Sequence, residues 1–226
     1  MKTLRTTNCH NHQHPEFRIE YDPSIVHVEF NVTSIVEWIE QTVADGTRYV
    51  PGQSCQIGWI ITEVRQREDG DLSLWEPNMG PIPIVWRESI SLTMNHLRLQ
   101  KDLVESVLDS AELSFPSMYQ SAIVCTRLEN CERVVMERVE SSGRDSGWFI
   151  GCREQGHDHN DPAELKCTSL YDSAVRLAPQ IIPYLALPAG TLLCIGSGSP
   201  AIFRHGESLD FKPGSLLAMR HTNRLD

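Results

Sequence analysis

Residues 144–175 read RDSGWFIGCREQGHDHNDPAELKCTSLYDSAV, and three kinds of local structure succeed one another within this span. Asp145-Ser146-Gly147 predicts a turn, because an Asp side chain accepts backbone amides two residues on and Gly tolerates a positive φ. Trp148, Phe149 and Ile150 are strong strand formers, so a strand comes next, with the Trp148 ring buried against it. Residues 153–161 are polar and read as a loop. Within it Asn160-Asp161-Pro162 turns the chain, and Asp161 or Asp158 caps a short helix begun by Pro162, Ala163, Glu164 and Leu165. Leu170, Ala174 and Leu177 recur at helical spacing and predict a helix over 169–177, stopped by Pro179. Strand, loop and helix in this succession predict an α+β fold.

The neighbouring sequence extends the pattern. Residues 121–128 and 133–139 are two apolar runs around Glu129-Asn130-Cys131-Glu132, and they predict a hairpin. Residues 191–195 and 201–203 predict two edge strands. The segment Gly196-Ser197-Gly198-Ser199-Pro200 between them lacks the Lys of a phosphate loop and reads as a connector. In the N-terminal half, Phe17, Ile19 and Tyr21 alternate, Asp22-Pro23-Ser24 turns, and Ile25, Val26, Val28 and Phe30 predict a second strand. Thr33 or Ser34 would cap a helix whose buried face is Ile35, Trp38, Ile39 and Val43, closed by Asp45-Gly46. A long strand is predicted from Cys55 to Val64, then a hairpin turn at Glu68-Asp69-Gly70-Asp71. Strands over 72–75 and 82–86 and a helix over 88–108 complete this half.

The expected architecture is two small α+β domains, each a mainly antiparallel sheet with one or two packed helices. Pro116 and the loss of helical pattern place the break near residues 110–120. The divisions are a flexible tail over 1–16, an N-terminal α+β domain over 17–112, a second domain over 120–205, and a C-terminal extension over 206–226.

A chain of 226 residues, 40% hydrophobic and 22% charged, has the composition to bury a sizeable core. A formal net charge of −10 argues against nucleic acid, because phosphate binding requires clustered Lys and Arg. It suits a basic protein partner, whose approach an acidic surface accelerates. No apolar run reaches the ~18 residues of a membrane span, and the first seventeen residues lack the apolar stretch of a secretory signal. A cytoplasmic location is therefore expected. The seven cysteines include no C-x-x-C pair, in keeping with a reduced cytosolic chain, and Cys55 and Cys125 read as core thiols.

Three kinds of chemistry bear on function. His157 and His159 with nearby carboxylates, and Cys152 or Cys167 as a fourth group, are metal-ligand types, but closed zinc sites present ligands as two separated pairs. Here the second pair is missing, so no metal and no cofactor is expected. Cys9, His10, His12 and His14 in the tail are read as adventitious at most. No catalytic residue is assigned: Ser146 lacks the flanking glycines of a nucleophile elbow, and a set of Ser146, His157 and Asp158 has no spacing that imposes geometry. Trp38, Trp59, Trp75 and Trp86 lie among Ile, Val and Leu and are expected in the core, with Trp75 the one suspected of exposure.

The D-S-G-W turn Asp145-Ser146-Gly147-Trp148, then Gly151, Glu154 and a helix opening near Ser169, resemble the signature of immunity-protein family thirty-three of bacterial polymorphic toxin systems. The resemblance spans about 121–204. Cys152 stands where that family more often places an acidic or polar residue, and the chain carries an additional N-terminal domain. The resemblance implies a non-catalytic intracellular protein that binds and occludes a cognate toxin. The expected partner-binding residues are Asp145, Glu154, His157, Asp158, His159 and Asp161, with Ser146, Gly147, Trp148 and Gly151 shaping the motif. The alternatives are a regulatory or ligand-binding protein unrelated to toxins, and a metal-dependent hydrolase using His157, His159 and Asp161.

Overall fold

The computed structural model describes residues 1–26, 29–129, 131–154 and 156–222. The chain divides into two compact units, Met1–Arg98 and Leu99–Asp226. Each is built on one mainly antiparallel sheet, so the class is α+β.

The first unit runs β1 (Lys2–Arg5), a 3-10 turn (Cys9–His12), β2 (Phe17–Tyr21), α1 (Glu29–Ala44), β3 (Ser54–Ile57), β4 (Ile60–Gln66), β5 (Leu72–Asn78), β6 (Val85–Glu88) and the start of α2 (Ser91–Glu105). The strand order is β1-β2-β5-β4-β3, with β6 also paired to β5. Phe17, Ile19 and Tyr21 alternate into the core as their spacing predicts, and Ile35, Ile39 and Val43 of α1 join them. Gly70, at φ +91°, turns β4 into β5.

Several local expectations are corrected. The strand expected over residues 25–30 gives way to α1, which already opens at Glu29; Val28 lies outside the described residues. Buried Val32 continues the stripe of Ile35, Ile39 and Val43 backward by one turn, so burial prolongs the helix ahead of Thr33. The run 55–64 is not one strand. Gly58, at φ +61°, folds it into a β3–β4 hairpin with Ile57 opposite Ile60, and the run concealed the turn because apolar Ile57 and Trp59 flank the glycine. Residues 1–16, expected as a tail, supply β1, which pairs antiparallel with β2. His14 is buried between Phe17 and Tyr49. Its Nε2 accepts from the Tyr49 amide at 3.0 Å while its Nδ1 lies 2.7 Å from the Pro15 carbonyl. Of the four tryptophans expected in this core, Trp59 is buried, Trp75 and Trp86 are half-buried, and Trp38 is 39% exposed.

The two units part between Arg98 and Leu99, inside α2 and ahead of residues 110–120. The second half of the helix belongs to the second unit: Leu103, Val104 and Val107 are buried, and Gln100 donates to the Ile182 carbonyl at 2.8 Å.

The second unit adds β7 (Ser121–Cys125), β8 (Val134–Arg138), β9 (Asp145–Cys152), a 3-10 turn (Pro162–Glu164) and β10 (Leu165–Ser169). A π-helical turn (Asp172–Leu177), a 3-10 helix (Pro179–Tyr184), β11 (Thr191–Ile195), β12 (Ala201–Arg204), β13 (Glu207–Ser208) and α3 (Leu216–Thr222) come after. The order is β10-β7-β9-β8-β11-β12-β13. The hairpin expected of 121–139 does not form, because β9 lies between β7 and β8, parallel to the former and antiparallel to the latter. Nor are β11 and β12 edge strands, since each pairs on both sides. Strand β9, which carries the D-S-G-W residues, is therefore near the middle of the sheet.

One face of this sheet is core. Trp148 and Ile150 of β9, Met136 and Arg138 of β8 and Leu193 of β11 are all buried. Arg138 has no carboxylate within bonding range among the described residues. Its Nη1 donates to the carbonyls of Ser114 (2.6 Å), Leu185 (3.2 Å) and Leu187 (2.5 Å), and its guanidinium lies over the Trp148 ring. Trp148 Nε1 in turn donates to Leu185 at 3.2 Å. Burial pushes the Arg138 pKa down to about 10, and the carbonyl cage is what holds the cation.

Candidate functional sheet face and loop

The opposite face of the second sheet is open. Strand register sets one row across it: Cys167 on β10, Ile123 on β7, Phe149 on β9, Glu137 on β8, Leu192 on β11, Phe203 on β12 and Ser208 on β13. Partners in register share a face, and the exposures agree. Ile123 is 39% exposed and Leu192 38%, with Phe149 and Phe203 half-buried. Apolar Ile123 and Phe149 on one side and Leu192 and Phe203 on the other flank exposed Glu137, a mixed apolar and acidic surface of the kind protein partners cover. Single-residue alternation alone did not reveal it, because the row exists only once the strand order is known.

The turn expected at Asp145-Ser146-Gly147 is instead the opening of β9, and the chain turns just before it, at Gly143 and Arg144. Asp145 Oδ1 accepts from the Gly147 amide at 3.0 Å. Ser146 is buried, donates to the Ser121 carbonyl at 2.7 Å and accepts from the Trp148 amide. Its hydroxyl is thus engaged within the sheet. Gly147, at φ +75°, sits against the Val139 carbonyl with no room for a Cβ.

Beyond β9 the loop folds back on the sheet end. Gly151 has a second role: a Cβ there would meet His159 Cε1 at 2.8 Å and Phe149 Cζ at 2.9 Å, so its missing side chain lets the His159 ring settle onto Phe149. Asp158 accepts from the Asn160 amide (2.9 Å) and side-chain amide (3.0 Å), and these bonds hold its carboxyl below the usual range. Asp161 caps the 3-10 turn through the Ala163 amide at 2.9 Å, as the Asn-Asp-Pro spacing predicts.

Of the expected partner-contact residues, Asp145, Glu154, Asp158 and Asp161 are exposed. The two histidines turn inward. His157's side chain is 1% exposed, with Nδ1 2.9 Å from Cys152 Sγ and Nε2 3.1 Å from a carboxylate oxygen of Glu164. His159 Nε2 is 3.8 Å from the same sulfur. Burial, then the neighbouring His157, lowers the His159 pKa. Glu164 also accepts from Thr126 Oγ1 at 2.6 Å, the main cause of its lowered pKa. Cys125, at the end of β7, accepts the Cys152 amide at 3.1 Å, and burial raises its thiol pKa. The ligand atoms of Cys125, Cys152, His157 and His159 all lie within 4.8 Å of one another. Cys167, a ligand type by its sequence position, is exposed on β10 instead.

A cleft of about 490 Å³ in the first unit, lined by Arg65, Arg67, Asp69, Trp75 and Glu88 among others, is the place a ligand-sensing N-terminal domain would offer. Its cations are already engaged: Arg65 pairs with Glu63 at 3.0 Å and lies over Trp75, and Arg67 pairs with Glu88. Among the described residues no helix is long and apolar enough to cross a membrane.

Compared with known families, residues 99–204 match the model of the Imm33-like domain. No curated protein and no solved structure matches the chain.

Proposed function

Because residues 99–204 form an Imm33-like domain, we propose that the chain is a cytoplasmic, non-catalytic immunity protein of a bacterial polymorphic toxin system. It neutralises its cognate toxin by stoichiometric binding and occlusion. The observation that carries the surface assignment is the open face of the second sheet, where Ile123, Phe149, Leu192 and Phe203 line up in register. Exposed Asp145, Glu154, Asp158 and Asp161 form an acidic margin around the turn and loop of β9. The apolar side chains on either side of Glu137 provide the buried contacts of the interface. The acidic margin, with the net charge of −10, steers a basic toxin toward it.

The test is protection of growth. The chain is co-expressed with the toxin gene adjoining its own, as wild type and as an Ile123→Lys/Leu192→Lys double variant. Both positions are more than a third exposed, so the fold tolerates the change, at a cost of about 0.5 kcal/mol per site. Wild type restores growth and the double variant does not. Equal protection by a folded double variant would place the interface elsewhere.

A further inference from the structure

We propose that Cys125, Cys152, His157 and His159 form a tetrahedral zinc site that ties the loop after β9 to the ends of β7 and β9. The sequence alone lacks a second ligand pair beside His157 and His159, and the topology supplies it. Strands β7 and β9 are adjacent and parallel, with Val124 opposite Ile150, so their last residues, Cys125 and Cys152, come to the same end of the sheet. The loop then turns back and adds the two imidazoles. A β7–β8 hairpin would have kept the cysteines apart.

The donor set is that of a closed structural zinc site: two thiolates, two imidazoles and no ligand position left for water. Zinc–sulfur bonds of ~2.3 Å and zinc–nitrogen bonds of ~2.0–2.1 Å put tetrahedral ligand atoms roughly 3.3–3.8 Å apart. Cys152 Sγ lies 2.9 Å from His157 Nδ1 and 3.8 Å from His159 Nε2, and all four ligand atoms fall within 4.8 Å. Small side-chain rotations close that gap.

The surroundings are built for the same purpose. Glu164 faces the other nitrogen of His157 at 3.1 Å and is itself held by Thr126. With Nε2–H donating to that carboxylate, the lone pair of Nδ1 points at Cys152, which is how outer-shell carboxylates orient metal-bound imidazoles. Gly151 leaves the space in which His159 lies. Two thiols and two imidazoles favour zinc over calcium or magnesium, which take oxygen ligands. On binding, the two thiols lose their protons to solvent and zinc undergoes no redox change.

The test needs no toxin and is independent of the immunity reading. The full chain, expressed without a histidine tag and purified with a thiol-free reductant, is measured by elemental analysis. About one zinc per chain is expected. A His10→Ala/His12→Ala variant keeps it, while His157→Ala and Cys125→Ser each lose it. If those variants fail to fold, the wild type stripped by a chelator and reloaded with cobalt(II) is expected to show thiolate-to-cobalt charge-transfer and tetrahedral d–d bands. Failure to take up zinc or cobalt after stripping would overturn the proposal. So would undiminished zinc in a folded Cys125→Ser variant, or a Cys125–Cys152 disulfide that resists the reductant used in purification.

Discussion

Alanine at Gly147 and alanine at Gly143 should have very different costs, although both glycines sit at positive φ. Gly147 has φ +75° and a Cβ there would stand 2.1 Å from the Val139 carbonyl oxygen, whereas Gly143 has φ +57° and nothing within 4 Å. The left-handed backbone costs an L-residue about 1–2 kcal/mol, partly offset by about 0.4–1 kcal/mol from reduced freedom of the unfolded chain. Gly143→Ala is therefore expected to lose about 1 kcal/mol or less. At Gly147 the clash adds to that strain. The oxygen cannot retreat alone, because the Val139 amide donates to the Gly147 carbonyl at 2.9 Å. Relief requires opening that pairing between the residue after β8 and β9, at about 1–3 kcal/mol for the backbone groups left without partners. Gly147→Ala should therefore lose about 3 kcal/mol. Urea unfolding followed by circular dichroism and tryptophan fluorescence measures both. If the two variants agree within about 0.5 kcal/mol, the close approach of Gly147 to Val139 is not what demands glycine in this motif.

Trp148→Phe removes the indole donor to Leu185 and weakens the stack with Arg138; a loss of about 2 kcal/mol is expected by the same unfolding assay. Asp161→Ala should cost about 1 kcal/mol or less, through the lost cap on the Ala163 amide, and an unchanged melting curve would show that the cap contributes nothing. His96 gives a pH signature: burial depresses its pKa from 6.5 to about 4, against a smaller opposing pull from Glu76. The folded protein keeps His96 neutral while the unfolded chain takes up a proton. Stability from this group is therefore complete above pH 6.5 and is lost as pH falls toward 4, by up to about 3 kcal/mol. His96→Gln, which can still accept from Trp59 Nε1, should flatten that part of the stability–pH curve; an identical slope would refute the assignment.

The sequence made local structure legible and pairing much less so. The alternation of Phe17, Ile19 and Tyr21, the Gly70 turn and the Asp161 cap are set within a few residues, and Trp148's burial follows from the strand formers around it. The β3–β4 hairpin was hidden because Gly58 lies in a run that is apolar on both sides of the turn. The insertion of β9 between β7 and β8 depends on long-range pairing that no single strand's pattern encodes. That one topological fact governs the functional surface. It aligns Ile123, Phe149 and Leu192 across the sheet, and it sets Cys125, read from the sequence only as a core thiol, beside Cys152, which the sequence offered as a fourth ligand without a partner thiol. His14 shows the reverse error. A polar, histidine-bearing opening reads as a tail, yet both nitrogens of that ring are satisfied inside the first unit.

The most direct measurement is a calorimetric titration of the purified full chain with the protein encoded by the adjoining toxin gene. The account predicts one-to-one binding, weakened at least tenfold, or about 1.4 kcal/mol, by Ile123→Lys/Leu192→Lys. It also predicts slower association as salt rises, because the acidic margin is screened. No binding, or equal binding by wild type and a folded double variant, would contradict occlusion through the open face of the second sheet.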